Sequence, residues 1–137
     1  ISEAQKKEGG SIKNDISIPI KDISKFIRSA IKISKEVIPG SRCVVFGHIG
    51  DGNIHFNISQ PVKADKDKFL KKERALRKEI INLTLDLKGS ISAEHGIGLT
   101  RKADLKKYMK KDVEVFKSIK KSFDPKNIMN PGKVIDI

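Results

Sequence analysis

The sequence is short of the residues on which several classes of protein depend. Cysteine occurs once, at Cys43, so no disulfide can form within the chain. The apolar run around Cys43 favours a buried strand residue over a reactive thiol. No apolar run comes near the roughly 20 residues that a transmembrane helix needs, and lysine interrupts every helical segment. These absences exclude a disulfide-stapled domain and predict no membrane span.

Arginine and aromatic residues are also scarce, although the chain is strongly basic. Its formal charge is +12, yet lysine supplies 24 of the 29 cationic residues and arginine only five. Proteins that read base edges or clamp phosphates favour arginine. Base stacking needs aromatic side chains, and the chain has six phenylalanines, one tyrosine and no tryptophan. We therefore expect no nucleic-acid partner, and a basic non-catalytic module that binds nucleic acid is kept as the less favoured alternative.

The length and the first residue favour one piece of a larger protein. A chain of 137 residues can bury a core without a disulfide or a structural metal. It begins at Ile1 rather than at methionine, and we expect a fragment or a processed product. The start has no secretory signal, so we expect a cytoplasmic location. A homo-oligomer is compatible with the sequence.

Hydrophobic periodicity predicts an alternation of strands and helices. Strands are expected at 12–18, 42–48, 53–59 and 90–93, and helices at 21–37 and 65–87, the second capped by Gly89. The order strand, helix, strand, strand, helix, strand is the split βαβ arrangement, with both helices on one face of an antiparallel sheet. The fold class is therefore α+β and ferredoxin-like. A helical tail is expected at 102–109 and 113–122, which divides the chain into a domain at 1–100 and a tail at 101–137.

All three histidines lie in two glycine-rich segments, at 47–55 and 92–98. Asp51-Gly52 between two apolar runs is a strong hairpin signal. If these two residues form the whole turn, His48 pairs directly with His55 across the hairpin. Directly opposed side chains lie about 4.5–5.5 Å apart at Cβ, which suits two imidazoles that bind one cation.

The second predicted strand of this hairpin has one polar and one apolar face. Alternation along a strand sends its side chains to opposite faces of the sheet. The polar face then carries Asn53, His55 and Asn57, and the core face carries Ile54, Phe56 and Ile58. A purely structural strand pair gains nothing from this concentration of polar side chains. The alternation therefore favours a site on the polar face.

Glu94 is the best candidate for a third ligand, because it follows a predicted strand and stands beside His95. Two imidazoles and a carboxylate with a vacant position suit Zn²⁺, or Mn²⁺ because one donor is an oxygen. In an extended strand Glu94 and His95 point to opposite faces, so both can serve one site only if the chain turns at Gly96. A free-standing metal-binding or metal-dependent hydrolytic domain would use the same three ligands and is the alternative function.

Four segments in order resemble one known family. They are DISIP at 15–19, GHIGDGNIH at 47–55, SAEHGIG at 92–98 and FDPKNIMNPGKV at 123–134. Together they are similar to the carboxy-terminal domain of FAD-linked oxidases, a family that includes D-2-hydroxyglutarate dehydrogenase, D-lactate dehydrogenase and the glycolate oxidase flavin subunit.

The resemblance implies a flavin-dependent dehydrogenase that oxidises a D-2-hydroxy acid to the 2-oxo acid with FAD and a divalent metal, Zn or Mn. It assigns metal binding to His48, His55 and Glu94, general base catalysis to His95, substrate contacts to Lys13 and Asn57, and a flavin contact to Asn130. The family's flavin-binding domain normally precedes this region, as does an arginine that holds the substrate carboxylate. We therefore expect this chain alone to bind FAD weakly and to be inactive.

Overall fold

A computed structural model describes residues 8–137 of the chain, so residues 1–7 of the expected first domain lie outside the described part. The chain forms two compact units, of which the first ends at His95 and the second is Gly96–Ile137. The strands are β1 (Ser11–Ser17), β2 (Arg42–Phe46) and β3 (Asn53–Ser59). The helices are α1 (Ile23–Val37), α2 (Lys66–Leu70), α3 (Glu73–Asp86), α4 (Lys102–Tyr108) and α5 (Lys110–Phe123). The division into a domain at 1–100 and a tail at 101–137 stays a prediction.

The three strands form an antiparallel sheet in the order β1-β3-β2, with β3 in the middle. The alternation predicted for β3 is present, because its apolar side chains belong to the main core. The helices that pack on this face are α1, through Phe26 and Ala30, and α3, through Leu76 and Ile80. Phe26 meets Phe56 of β3 edge to face, with ring centroids 5.8 Å apart. The α+β class is therefore confirmed, with α1 and α3 on one face of the sheet.

The predicted register of the β2–β3 hairpin is wrong by two residues. His55 pairs with Phe46, not with His48. The reason is a longer connection, in which Ile49–Asp51 form a 3₁₀ turn and Gly52 adopts the left-handed conformation with φ 73°. Because the shift is an even number of residues, every side chain of β3 stays on its predicted face. His48 is moved out of the strand and into the turn.

The predicted fourth strand at 90–93 is reduced to a single bridge between Ser90 and Ser17. After Ser90 the chain bends at residues 91 and 93–95 instead of continuing along β1. The cap before it also differs from the prediction, because Lys88, not Gly89, takes the left-handed conformation. Gly89 donates its N–H to the carbonyl of Thr84, which completes a Schellman ending of α3. A Cβ on Gly89 would overlap with the carbonyl oxygen of Ser17, so glycine is needed for close approach to β1.

The second predicted long helix is interrupted, since α2 and α3 are separate at residues 71–72. The tail helices are slightly displaced from their predicted bounds, and α5 begins at Lys110, three residues earlier than expected. Within the second unit, Leu105, Val113 and Ile135 form a small apolar cluster. Across residues 8–137, none of the helices has both the length and the apolar character that a membrane span requires.

Candidate functional site

The polar face of the sheet carries two adjacent cross-strand pairs of polar side chains, here called rungs. Asp15 on β1 pairs with His55 on β3, and Lys13 pairs with Asn57. Residues two apart on a strand lie about 6.5–7 Å from each other on the same face, so the two rungs are neighbours. Lys13 is exposed, whereas Asn57 and Asp15 are buried. The structure thus brings both predicted substrate residues beside the histidine of β3.

The turn between β2 and β3 presents His48 at the edge of this face. The His48 carbonyl accepts the N–H groups of Asp51 (3.0 Å) and Asn53 (3.2 Å), which closes the turn. The side chain of His48 is 68% exposed, and its Nδ1 lies 3.4 Å from the amide nitrogen Nδ2 of Asn53. The buried Asn53 of β3 therefore contacts the exposed imidazole of His48.

The carboxylate of Glu94 lies between His48 and His55, the two histidines of the glycine-rich segment at 47–55. Its Oε1 is 2.8 Å from Nδ1 of His48, and its Oε2 is 3.3 Å from Nε2 of His55. Donor atoms that share a tetrahedral ion at about 2.0–2.2 Å are about 3.4 Å apart from one another. Glu94 therefore contacts both predicted histidine ligands, each through a different carboxylate oxygen, although His48 and His55 are not paired across the strands. Two imidazoles and a carboxylate are donor types that Zn²⁺ or a similar ion accepts.

His55 is the best-fixed member of this group. Its ring stacks on Phe46 at a centroid distance of 5.0 Å, and its side chain is only 14% exposed. Its Nδ1 faces Oδ1 of Asp15 at 3.7 Å, while its Nε2 faces Glu94. A carboxylate behind one imidazole nitrogen is the arrangement that commonly orients the other nitrogen toward a metal.

Asp15 also contacts the segment that carries Glu94 and His95. Its carboxylate accepts backbone N–H groups from Ala93 (3.2 Å), Glu94 (3.1 Å) and His95 (2.9 Å). Burial would raise the pKa of Asp15. The hydrogen bonds from the N–H groups of His95, Glu94 and Ala93, together with the nearby His95 imidazole, outweigh burial and hold that pKa below its usual value. Asp15 is therefore an anion at neutral pH.

His95 lies at the rim of the same site. Its ring centroid is 5.4 Å from that of His55, and its Nδ1 is 3.6 Å from Oδ2 of Asp15. Glu94 and His95 both face the site because the chain bends at 93–95, next to Gly96 with φ 70°. Asp15, His55 and His95 also place one donor atom each within 4.8 Å of one another. His55 thus belongs to this group and is also one of the two histidines that Glu94 contacts.

The comparison with known proteins agrees with this arrangement of motifs. The family model described as FAD linked oxidases, C-terminal domain, matches residues 1–134. The chain belongs to this family. The site residues on β1 and β3 and at 92–95 therefore belong to a C-terminal domain of the FAD-linked oxidase family.

Three relatives show the breadth of the family. The D-2-hydroxyglutarate dehydrogenase of Stutzerimonas stutzeri (strain A1501) is 42% identical over 124 residues, which are 89% of this chain and 26% of that protein. The D-lactate dehydrogenase of Archaeoglobus fulgidus is 35% identical over 88% of this chain and 26% of its own length. The glycolate oxidase subunit GlcD of Bacillus subtilis is 34% identical over 90% and 26%. The chain spans about a quarter of the length of these curated relatives.

The closing segment of this FAD-linked oxidase domain lies in the second unit and carries Asn130. The carboxylate of Asp124 shapes the segment by accepting N–H groups from Ile128 (3.0 Å) and Met129 (2.9 Å) and by an ion pair with Lys120. Asn130 itself has a positive φ of 47°. Its predicted contact with the flavin stays a prediction.

Two site residues were not predicted from the sequence, Asp15 and Phe46. A signal for Asp15 was present, because Lys13, Asp15 and Ser17 alternate with the apolar positions of β1 and so belong to the polar face. Phe46 had no such signal, because its position opposite His55 depends on the register of the hairpin.

Proposed function

We propose that this chain supplies the metal site, the proton acceptor and the substrate contacts of a flavin-dependent dehydrogenase that oxidises a D-2-hydroxy acid to the 2-oxo acid. The observation that carries the proposal is that the Glu94 carboxylate contacts both His48 and His55, beside His95, on the polar face of the sheet. The names of the relatives support the substrate class, since they include D-2-hydroxyglutarate and D-lactate dehydrogenases.

His48, His55 and Glu94 would hold a divalent ion, Zn²⁺ or Mn²⁺. When bound, such an ion acts as a Lewis acid toward an oxygen of the substrate. Asp15 at the Nδ1 side of His55 keeps that ring oriented, so that Nε2 stays directed at Glu94. His48, His55 and Glu94 would hold the ion and leave one coordination position for the substrate.

His95 would accept the hydroxyl proton of the substrate. The Asp15 carboxylate lies nearest its Nδ1, at 3.6 Å, which leaves Nε2 as the nitrogen that takes the proton. A buried anion behind the ring stabilises the imidazolium that forms, as the aspartate does in a serine protease triad. The 68% exposure of the His95 side chain leaves it open to a substrate from the solvent side.

Lys13 and Asn57 would bind the carboxylate end of the substrate. Lys13 presents an exposed ammonium one rung from the Asp15–His55 pair, and Asn57 faces it across the strands. A cation and an amide side by side suit a carboxylate, which accepts hydrogen bonds through both oxygens.

FAD, which the family implies, would accept the hydride released from C2 of the substrate. We infer that most of the flavin is held by polypeptide outside this chain, because the chain matches only 26% of its relatives. Asn130 in the closing segment is the residue of this chain that we assign to the flavin.

The metal site can be tested on the chain itself by titration with Co²⁺, followed by visible absorption. We expect one ion per chain. His55→Ala should weaken binding by more than the roughly 10–100-fold that loss of an outer-shell partner costs. Glu94→Gln should do the same, whereas Glu36→Gln, a matched change at an exposed glutamate of α1, should bind as the wild type does. Equal affinity in all four proteins would contradict the proposal.

The reaction can be tested in a chimera in which this chain replaces the matched region of the Stutzerimonas stutzeri dehydrogenase. Visible flavin absorption verifies assembly, and reduction of a dye by D-2-hydroxy acids reports activity. His95→Gln should lower kcat by about 10²–10⁴-fold, the usual contribution of a general base, without loss of Co²⁺ binding. A chimera that holds flavin and metal but oxidises no hydroxy acid would favour the metal-dependent hydrolytic alternative.

A further inference from the structure

A carboxylate is buried in the sheet directly beneath the segment at 92–95. Asp15 stands in the middle of β1 and is only 3% exposed. A buried charge costs several kcal/mol unless it is paired and hydrogen-bonded, so its partners must be part of the fold. The hydrogen bonds that the 92–95 segment makes to Asp15 come from backbone N–H groups.

Three consecutive N–H groups converge on this one side chain. The donors are Ala93, Glu94 and His95, which follow Asp15 in sequence by 78 to 80 residues. Here the chain has already left its single bridge with β1 and forms a bend without a strand ladder. The Asp15 carboxylate therefore takes the place that a strand partner would have in pairing these N–H groups.

We propose that Asp15 is a positioning residue that assembles the site by fixing the backbone of Glu94 and His95 against the sheet beside His55. This inference rests on the proposed function, because it assigns Asp15 a role through the residues that hold the metal and take the proton. The consequence is geometric. A backbone fixed at Glu94 brings its carboxylate to 2.8 Å from His48 and 3.3 Å from His55.

The same hydrogen bonds argue that Asp15 does not bind the metal. Its Oδ2 already accepts three N–H groups, and its Oδ1 lies 3.4 Å from the backbone nitrogen of Glu94 and 3.7 Å from Nδ1 of His55. A metal on these oxygens would compete with the hydrogen bonds that shape the segment. We therefore assign the metal to His48, His55 and Glu94 rather than to the group of Asp15, His55 and His95, and we assign Asp15 a supporting role next to His55.

The test is a Co²⁺ titration of the 137-residue chain and its Asp15→Asn variant. The asparagine keeps the size of the side chain but removes the negative charge that the three N–H groups face, and it replaces one of the two acceptor oxygens by an NH₂ group. We expect Co²⁺ affinity to fall about 10–100-fold, as for other outer-shell partners. Asp124→Asn is the matched control, since it alters a buried carboxylate that caps two N–H groups in the second unit. It should leave Co²⁺ affinity unchanged.

A double-mutant cycle separates positioning from general destabilisation. If Asp15 acts through Glu94, Asp15→Asn should cost much less affinity when Glu94→Gln is already present. A merely structural Asp15 would lower the affinity by the same factor in both backgrounds, which would overturn the proposal. If Asp15→Asn does not fold, Asp15→Glu takes its place. That variant keeps the charge but moves it by one methylene, and we expect the same loss of affinity in a folded sheet.

Amide hydrogen exchange gives a second readout that needs no metal. In Asp15→Asn, protection at Glu94 and His95 should drop, while the amides of β3 keep theirs. If the wild-type chain binds no Co²⁺, the proposed metal site is wrong, but the exchange data still decide whether Asp15 holds the segment. Wild-type protection at 93–95 together with wild-type Co²⁺ affinity in the folded variant would refute the role of Asp15.

Discussion

The glycine at the end of the His48 turn should be far less replaceable than the one two residues before it. Gly52 has φ 73°, and a Cβ there would overlap with the carbonyl oxygen of Ile18. An alanine in the left-handed region costs about 1–2 kcal/mol. The overlap also displaces the hydrogen bond from the Ile18 N–H to the Gly52 carbonyl, now 2.8 Å long, which adds about 1 kcal/mol. Gly52→Ala should therefore lower the free energy of unfolding of the first unit by about 2–3 kcal/mol.

Gly50→Ala is the matched control, because Gly50 has no positive φ and a Cβ added to it would have no neighbouring atom within 4 Å. It should leave stability unchanged or raise it by up to about 1 kcal/mol, since alanine restricts the unfolded chain. Urea unfolding followed by NMR intensities of the β3 amides reports on the first unit alone. With an m value of about 1.5–2 kcal/mol per M, the midpoint for Gly52→Ala should fall by about 1–2 M. Equal midpoints for the two variants would refute the reasoning.

Two further predictions concern stability, one for each unit. Phe56→Ala should cost about 3–5 kcal/mol in the same urea assay, because Phe56 is fully buried, whereas Val62→Ala, at a 70% exposed residue of the same unit, should change stability little. In the second unit, the hydrogen bond from Lys120 and two backbone N–H groups hold the pKa of Asp124 below its usual value despite burial. A lowered folded pKa means that Asp124 stabilises this unit above about pH 4 and that the contribution is lost as the pH falls toward the folded pKa. Amide exchange in the second unit against pH should show this loss, and Asp124→Asn should reduce the pH dependence, while the part due to Asp136, whose pKa is also lowered by Lys102, remains.

Periodicity was enough to predict the α+β class and the faces of the strands. The apolar side chains of β3 had to face a core, and an even shift of register preserves that assignment. The register itself depended on the length of the connection. Asp51-Gly52 marked the turn correctly, but the 3₁₀ turn of Ile49–Asp51 lengthened it, and no local pattern distinguishes the two forms. The pairing of His48 with His55 was lost for this reason.

The failure of the fourth strand has a different physical cause. The run at 90–93 has the composition of a strand, and its first residue does pair with Ser17. Its continuation is diverted because Asp15, far away in the sequence, takes the N–H groups of Ala93, Glu94 and His95. A side chain that replaces a strand partner is a tertiary contact, which propensity and periodicity do not contain. The residue that defines the site was thus the one that local reasoning missed.

Two residues of the site are largely shielded from solvent and two are exposed. This difference bears on which residues should control the affinity for a metal ion. The side chains of Asp15 and His55 are only 3% and 14% exposed, whereas those of Glu94 and His48 are 42% and 68% exposed. Binding an ion must order the exposed side chains, which costs up to about 2 kcal/mol for a glutamate whose backbone is already fixed. If the backbone were free as well, each residue of the segment would add about 1–2 kcal/mol more. If Asp15 anchors the segment as we propose, that second cost is removed before an ion binds, and a buried residue that does not contact the ion would then control the affinity of an exposed site.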